Sequence, residues 1–141
     1  MENKKGDRKV LDIDSDPYSM FIFAMNAPQT REKYLTRLKR FFDFLSLPGS
    51  TMQERCSYFV EKSKRKGSER WLLNGLLKFL YFYKERVQRK EITGATLRNY
   101  VKTIKLFCEM NDIPVPWKKI TRGLPKGRRY TDERAPSLEE I

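Results

Sequence analysis

Apolar residues recur at helical spacing in successive stretches of this chain, and no stretch alternates apolar with polar as a half-buried strand would. Asp16-Pro17 sets an N-cap before a proline at the first helical position, predicting a short helix through Phe21 to Asn26. A second helix is predicted from Pro28–Thr30 to just before Pro48-Gly49, with Tyr34, Leu38, Phe41, Phe42 and Leu45 on one stripe. On a different stripe of that helix stand Lys33, Arg37 and Arg40, continued by Phe44. Thr51 and Glu54 form a capping box that opens a third helix, which carries Met52, Cys56, Phe59 and Val60. Its basic end, Lys62 to Lys66, suits the negative end of the helix dipole, and Gly67 suits the turn beyond it.

From Ser68, with Trp71 to Val87, runs a fourth segment whose apolar positions reach nearly all round. Such a helix is expected at the centre of a bundle, with Gly75 permitting a close crossing. The fifth starts at Thr93-Gly94-Ala95-Thr96, buries Leu97, Tyr100, Val101, Ile104, Phe107 and Cys108, and stops at Asn111-Asp112. Arg98, Lys102 and Lys105 repeat on the opposite side. Ile113-Pro114-Val115-Pro116-Trp117 then reads as an extended staple, because each proline disfavours helix at the residue before it. Trp117 and Ile120 are expected to close the core. Together these segments predict an all-α domain with Phe41, Phe42, Trp71, Leu76, Leu80, Tyr83, Ile104 and Phe107 in one core.

The flanks read differently. Residues 1–16 mix charges with little periodicity and are expected to be a flexible N-terminal arm, leaving residues 17–122 as the helical domain. Apolar periodicity stops after Thr121, and Lys126, Arg128 and Arg129 mark residues 123–141 as a basic linker. Ser137 and Glu140 form another helix-start signal at the end of that linker, so a further domain is expected beyond Ile141.

Charge narrows the function. The 141 residues hold 30 Lys and Arg against 18 Asp and Glu, a net charge of +12, far more than solubility requires. Such an excess points to a polyanion, whose condensed counterions are released when Lys and Arg neutralise phosphates. There is no histidine, which excludes nucleophile–histidine systems and histidine-ligated metals, and no Gly-rich phosphate loop is present. Two cysteines, Cys56 and Cys108, lie on apolar stripes and are expected to be core thiols in a reducing compartment, not metal ligands. No apolar run is long enough to cross a membrane. The chain is therefore expected to be cytoplasmic and nucleoid-associated. It is expected to need no cofactor, metal or small-molecule substrate.

Three stretches, in order, resemble the core-binding domain of the tyrosine recombinases, the phage-integrase family. Thr30-Arg31-Glu32-Lys33-Tyr34-Leu35, followed by Leu38 and Phe41 to Leu45, is similar to that domain's first long helix. Ile92 to Tyr100, with Ile104, Phe107 and Asn111-Asp112-Ile113, resembles its last major helix. Arg134 to Ile141 looks like the junction where the family's catalytic domain begins. The resemblance spans about residues 17–141 and implies a compact four- to five-helix SAM-like bundle. In the family, two helices of this bundle face the major groove, and here they map onto Thr30–Ser46 and Gly94–Met110.

These are the two helices that carry the cation stripes. Candidate DNA-binding residues are Thr30, Lys33, Arg37 and Arg40 on one, and Thr96, Arg98, Asn99, Lys102 and Lys105 on the other. Thr30 and Thr96 read first as first-turn hydroxyls and only second as phosphate contacts, whereas Arg98 and Asn99 are expected near base edges. The family's chemistry needs a tyrosine nucleophile with arginines, a lysine and a His-x-x-Arg element in the catalytic domain. No tyrosine here has those partners, so the expected activity is double-stranded DNA binding without cleavage. Self-association on DNA is a further expectation of the resemblance. A helical protein-interaction module docking an acidic partner is the alternative.

Overall fold

The computed structural model describes residues 16–125, and their secondary structure is entirely helical. Six helices follow one another: α1 (Pro17–Phe23), α2 (Pro28–Phe44), α3 (Met52–Lys64), α4 (Glu69–Gln88), α5 (Gly94–Met110) and α6 (Trp117–Arg122). The N-terminal arm and most of the C-terminal linker, including the Ser137–Glu140 signal, lie outside the described residues.

Local sequence sets the helix starts. Asp16 caps α1 by accepting from the Tyr18 N–H at 3.2 Å, and Pro17 occupies the first turn. Thr51 Oγ1 accepts from the Glu54 N–H at 3.1 Å, while Glu54 Oε1 reaches back to the Ser50 N–H at 2.7 Å. The box thus closes one residue further out than the simplest form. Thr93 caps α5 through the Thr96 N–H at 3.2 Å.

Three helix ends share another device. Ser46, Lys90 and Asp112, at the ends of α2, α4 and α5, have φ of 56°, 62° and 56°. The next N–H in each case reverses to a carbonyl five residues back: Leu47 to Phe42, Glu91 to Arg86, and Ile113 to Cys108. This left-handed stop normally takes glycine, so each site holds roughly 1 kcal/mol of backbone strain. Burial of Leu47 and Ile113 directly after two of these turns offsets it.

The core is aromatic. Phe21, Phe41, Phe42, Phe59, Phe79 and Phe107 are fully buried. Phe42 and Phe107 approach edge-on at 5.9 Å, Phe41 and Phe79 at 5.0 Å, and Phe21 and Phe107 at 5.4 Å, which ties α1, α2, α4 and α5 together. Of the eight expected core residues, six are buried, while Trp71 and Tyr83 are half-buried and pack against the cluster.

Two expectations are corrected. The central helix is α5, which packs on α1, α2 and α4 and buries Leu97, Tyr100, Thr103, Ile104, Phe107 and Cys108. Helix α4 instead leaves Leu77 (43%), Tyr81 (61%) and Phe82 (42%) exposed, although its apolar residues run nearly all round. The Leu72–Leu76–Phe79–Leu80 side of α4 is the one that is buried, because a bundle this small cannot surround a 20-residue helix. The count also rises: beyond the extended Ile113–Pro116 run, a short sixth helix brings Ile120 into the core and rests Trp117 against it. Gly75 does mark a close approach, since a Cβ there would meet Leu45 Cδ2 at 3.0 Å.

Candidate nucleic-acid interface

Helices α2 and α5, some sixty residues apart in sequence, are neighbours in space. Arg40 Nη1 on α2 donates to the Tyr100 hydroxyl on α5 at 3.1 Å, and Phe42 meets Phe107 one helix layer below. The hydrogen bond to Tyr100 raises the Arg40 pKa, so the guanidinium stays charged. Arg37 lies over the Tyr34 ring at 5.3 Å, half-buried, and Lys33 is exposed. One flank of α2 therefore presents three cations fixed to different degrees.

The other flank of α2 is neutralised. Asp43 accepts from Arg55 at 2.8 Å and from Lys39 at 3.0 Å, and these two bonds hold its carboxyl below the usual carboxylate range. Glu91 does the same beyond α4, accepting from Arg89 at 2.8 Å and from Arg86 at 3.1 Å. Among the described residues, none of Lys33, Arg37, Arg40, Arg98, Lys102 and Lys105 forms an ion pair with a carboxylate.

On α5 the candidates divide. Lys102 and Lys105 are exposed. With Arg98, they lie roughly 140–160° round the helix from Tyr100, on the side turned away from the Arg40 contact. Arg98 is half-buried and folds back toward the first turn, where a Cβ on Gly94 would stand 3.7 Å from its Nη1. That nitrogen is buried with no hydrogen-bond partner among the described residues. Asn99 is half-exposed, and its carbonyl accepts from the buried Thr103 hydroxyl at 3.0 Å. Thr96 pairs its hydroxyl with that of Thr93 at 3.2 Å, which makes it part of the α5 cap. Thr30 sits in the first turn of α2 behind Ala27, the N-cap residue, and is half-buried. The helices are thus brought together, whereas their two cation rows point outward in different directions.

Four residues near this seam had not been singled out as candidates. Phe44, at the end of the α2 cation row, is 39% exposed and touches Phe82 of α4 at 5.7 Å. Arg86 lies 6.0 Å from the Phe82 ring and 5.4 Å from that of Tyr83. Tyr83 in turn stacks at 4.6 Å on Tyr100, the partner of Arg40. Burial, with Tyr100 close by, pushes the Tyr83 hydroxyl above its ordinary range. In the sequence, the position of Phe44 after Lys33, Arg37 and Arg40 was the available signal, but nothing local indicated that α4 would set Phe82 beside it.

Both thiols are buried, and burial pushes Cys56 and Cys108 up to about 12, so neither is a nucleophile at neutral pH. Among the described residues no group of three or more Cys, Asp or Glu side chains gathers as a metal site would. No helix described is long and apolar enough to cross a membrane. Comparison with family models, curated proteins and solved structures finds no match to this chain.

Proposed function

We propose that this chain binds double-stranded DNA as the core-binding domain of a tyrosine recombinase, presenting α2 and α5 to the major groove and performing no cleavage itself. One observation carries the reading: two rows of cations without carboxylate partners among the described residues stand on helices joined by the Arg40–Tyr100 bond. Lys and Arg rows at helical spacing suit the phosphates along a groove, whose width of roughly 12 Å admits a helix. A nucleoid-associated location, with self-association on DNA, belongs to the same proposal.

A second reading, a helical module docking an acidic protein, has its own support. A groove of about 710 Å³ between α3, α4 and the Pro114–Pro116 run has Leu72, Leu73 and Leu76 on its floor and Lys64, Arg65 and Lys66 on its rim. Titration of labelled duplex DNA at two salt concentrations decides between them. DNA binding with log K falling by about 0.9 per neutralised phosphate supports the first reading. Absence of duplex binding, or recovery of a phosphotyrosyl-linked adduct from supercoiled DNA, overturns it.

A further inference from the structure

Exposed aromatic side chains beside a cation row distinguish the α2–α4 seam from the rest of the surface. Phe44 and Phe82 are each about two-fifths exposed and touch each other, and Phe44 rests edge-on against the buried Phe79 at 5.3 Å. Arg40 and Phe44 are one helical turn apart on α2, and Arg86 covers the far side of Phe82. Leu77 and Tyr81 belong to a separate groove, lined also by Ile120 and Leu124 on the other side of α4. At the seam, then, both exposed apolar side chains are phenyl rings, and the row leading to them is cationic. An acidic carboxylate does lie at the edge of the patch, where Glu91 holds Arg86.

We infer that Phe44 and Phe82 form a stacking step for an unpaired DNA base, while Arg40, Arg37 and Lys33 hold the phosphates of the adjoining strand. The inference rests on the DNA-binding reading above and adds to it a preference for interrupted duplex. Charge complementarity selects the occupant, because the row that ends at Phe44 fits a continuous polyanion one phosphate after another. In an intact duplex the base faces are covered by their neighbours, so exposed phenyl rings gain little there. An unpaired or unstacked base offers its π-face, and base–aromatic stacking is tolerant of sequence.

The test uses the whole 141-residue chain and two labelled duplexes of one sequence, one fully paired and one with three unpaired thymines in its middle. Anisotropy titration should show roughly five- to a hundredfold tighter binding to the interrupted duplex, the range expected for stacking of one base. Phe44→Ala and Phe82→Ala should each bring that ratio toward one. Lys33→Ala should weaken binding to both duplexes and preserve the ratio. Circular dichroism checks the fold of each variant. Should either alanine variant unfold, Phe82→Leu keeps the apolar volume without the ring and should still lower the ratio. Equal affinity of the wild-type chain for the two duplexes overturns the stacking step and leaves duplex binding standing. Failure to bind either DNA overturns both.

Discussion

The two flanks of α2 differ in their carboxylates. On one, Asp43 gathers Lys39 and Arg55, and three charged side chains close on one another. On the other, Arg37 and Arg40 have aromatic company instead, Tyr34 under Arg37 and Tyr100 beside Arg40, and Lys33 is exposed. A tyrosine orients a guanidinium without cancelling its charge, whereas an aspartate cancels it. On the DNA-binding reading, the same helix offers a polyanion little on one side and a row of cations on the other. The abundance of Lys and Arg matters less than where the acids fall.

The largest test of this contrast removes the scaffold that holds the flanks apart. Phe42 is fully buried between Phe41, Phe59 and Phe107, and Phe42→Ala should cost about 3–5 kcal/mol in urea unfolding. A loss below about 1 kcal/mol would mean the aromatic core is not packed as described. Binding comes next. Arg37→Ala and Lys102→Ala should each lower the slope of log K against log salt by about 0.9 on duplex DNA, and Lys39→Ala should change it far less. Equal changes for Lys39 and Arg37 would erase the distinction between the flanks.

Asp43→Asn sharpens the comparison from the other side by releasing two cations. Duplex affinity should rise, while stability falls by on the order of 1 kcal/mol, because the Arg55 side chain is only 12% exposed and loses its partner. The pH dependence of the same group follows from its lowered pKa. The Asp43 pairing stabilises the fold above the unfolded carboxylate value of about 4 and is lost as pH falls through the lower folded value. Acid titration of unfolding should therefore show a small decline below about pH 4 that is absent in Asp43→Asn.

The smallest effect near neutral pH lies in the core thiols. Both are raised by burial, so unfolded chains lose these protons first and stability declines as pH rises from about 9 toward 12. Iodoacetamide at neutral pH should modify Cys56 and Cys108 only at the rate of unfolding. Rapid labelling of the native chain would contradict their burial.

Much of this was legible in advance. Asp16-Pro17, Thr51 with Glu54, and Thr93 are short-range signals, and each caps the helix it announced. The heptad-like spacing of Tyr34, Leu38, Phe41 and Phe42 gave the buried face of α2. Helix α6 was missed because two prolines precede it and it has only one buried residue, Ile120. The role of α4 was misjudged because apolar content measures what a helix could bury, not how many neighbours it finds. Among the site candidates, the sequence marked the α2 row and the Lys102–Lys105 pair as exposed positions. It could not foresee that Arg98 folds back over its own first turn, whereas Thr96 takes the first-turn capping place that its position suggested.

By itself, then, the sequence determined the helices, their caps, the aromatic core and the excess of positive charge, because periodicity and capping act over a few residues. Tertiary structure decided which helix is central, that Arg40 meets Tyr100 across sixty residues, and that Phe44 stands beside Phe82 on the surface. Those outcomes depend on how helices of fixed face pack against one another. Packing is settled by the shapes of distant side chains that no local pattern relates.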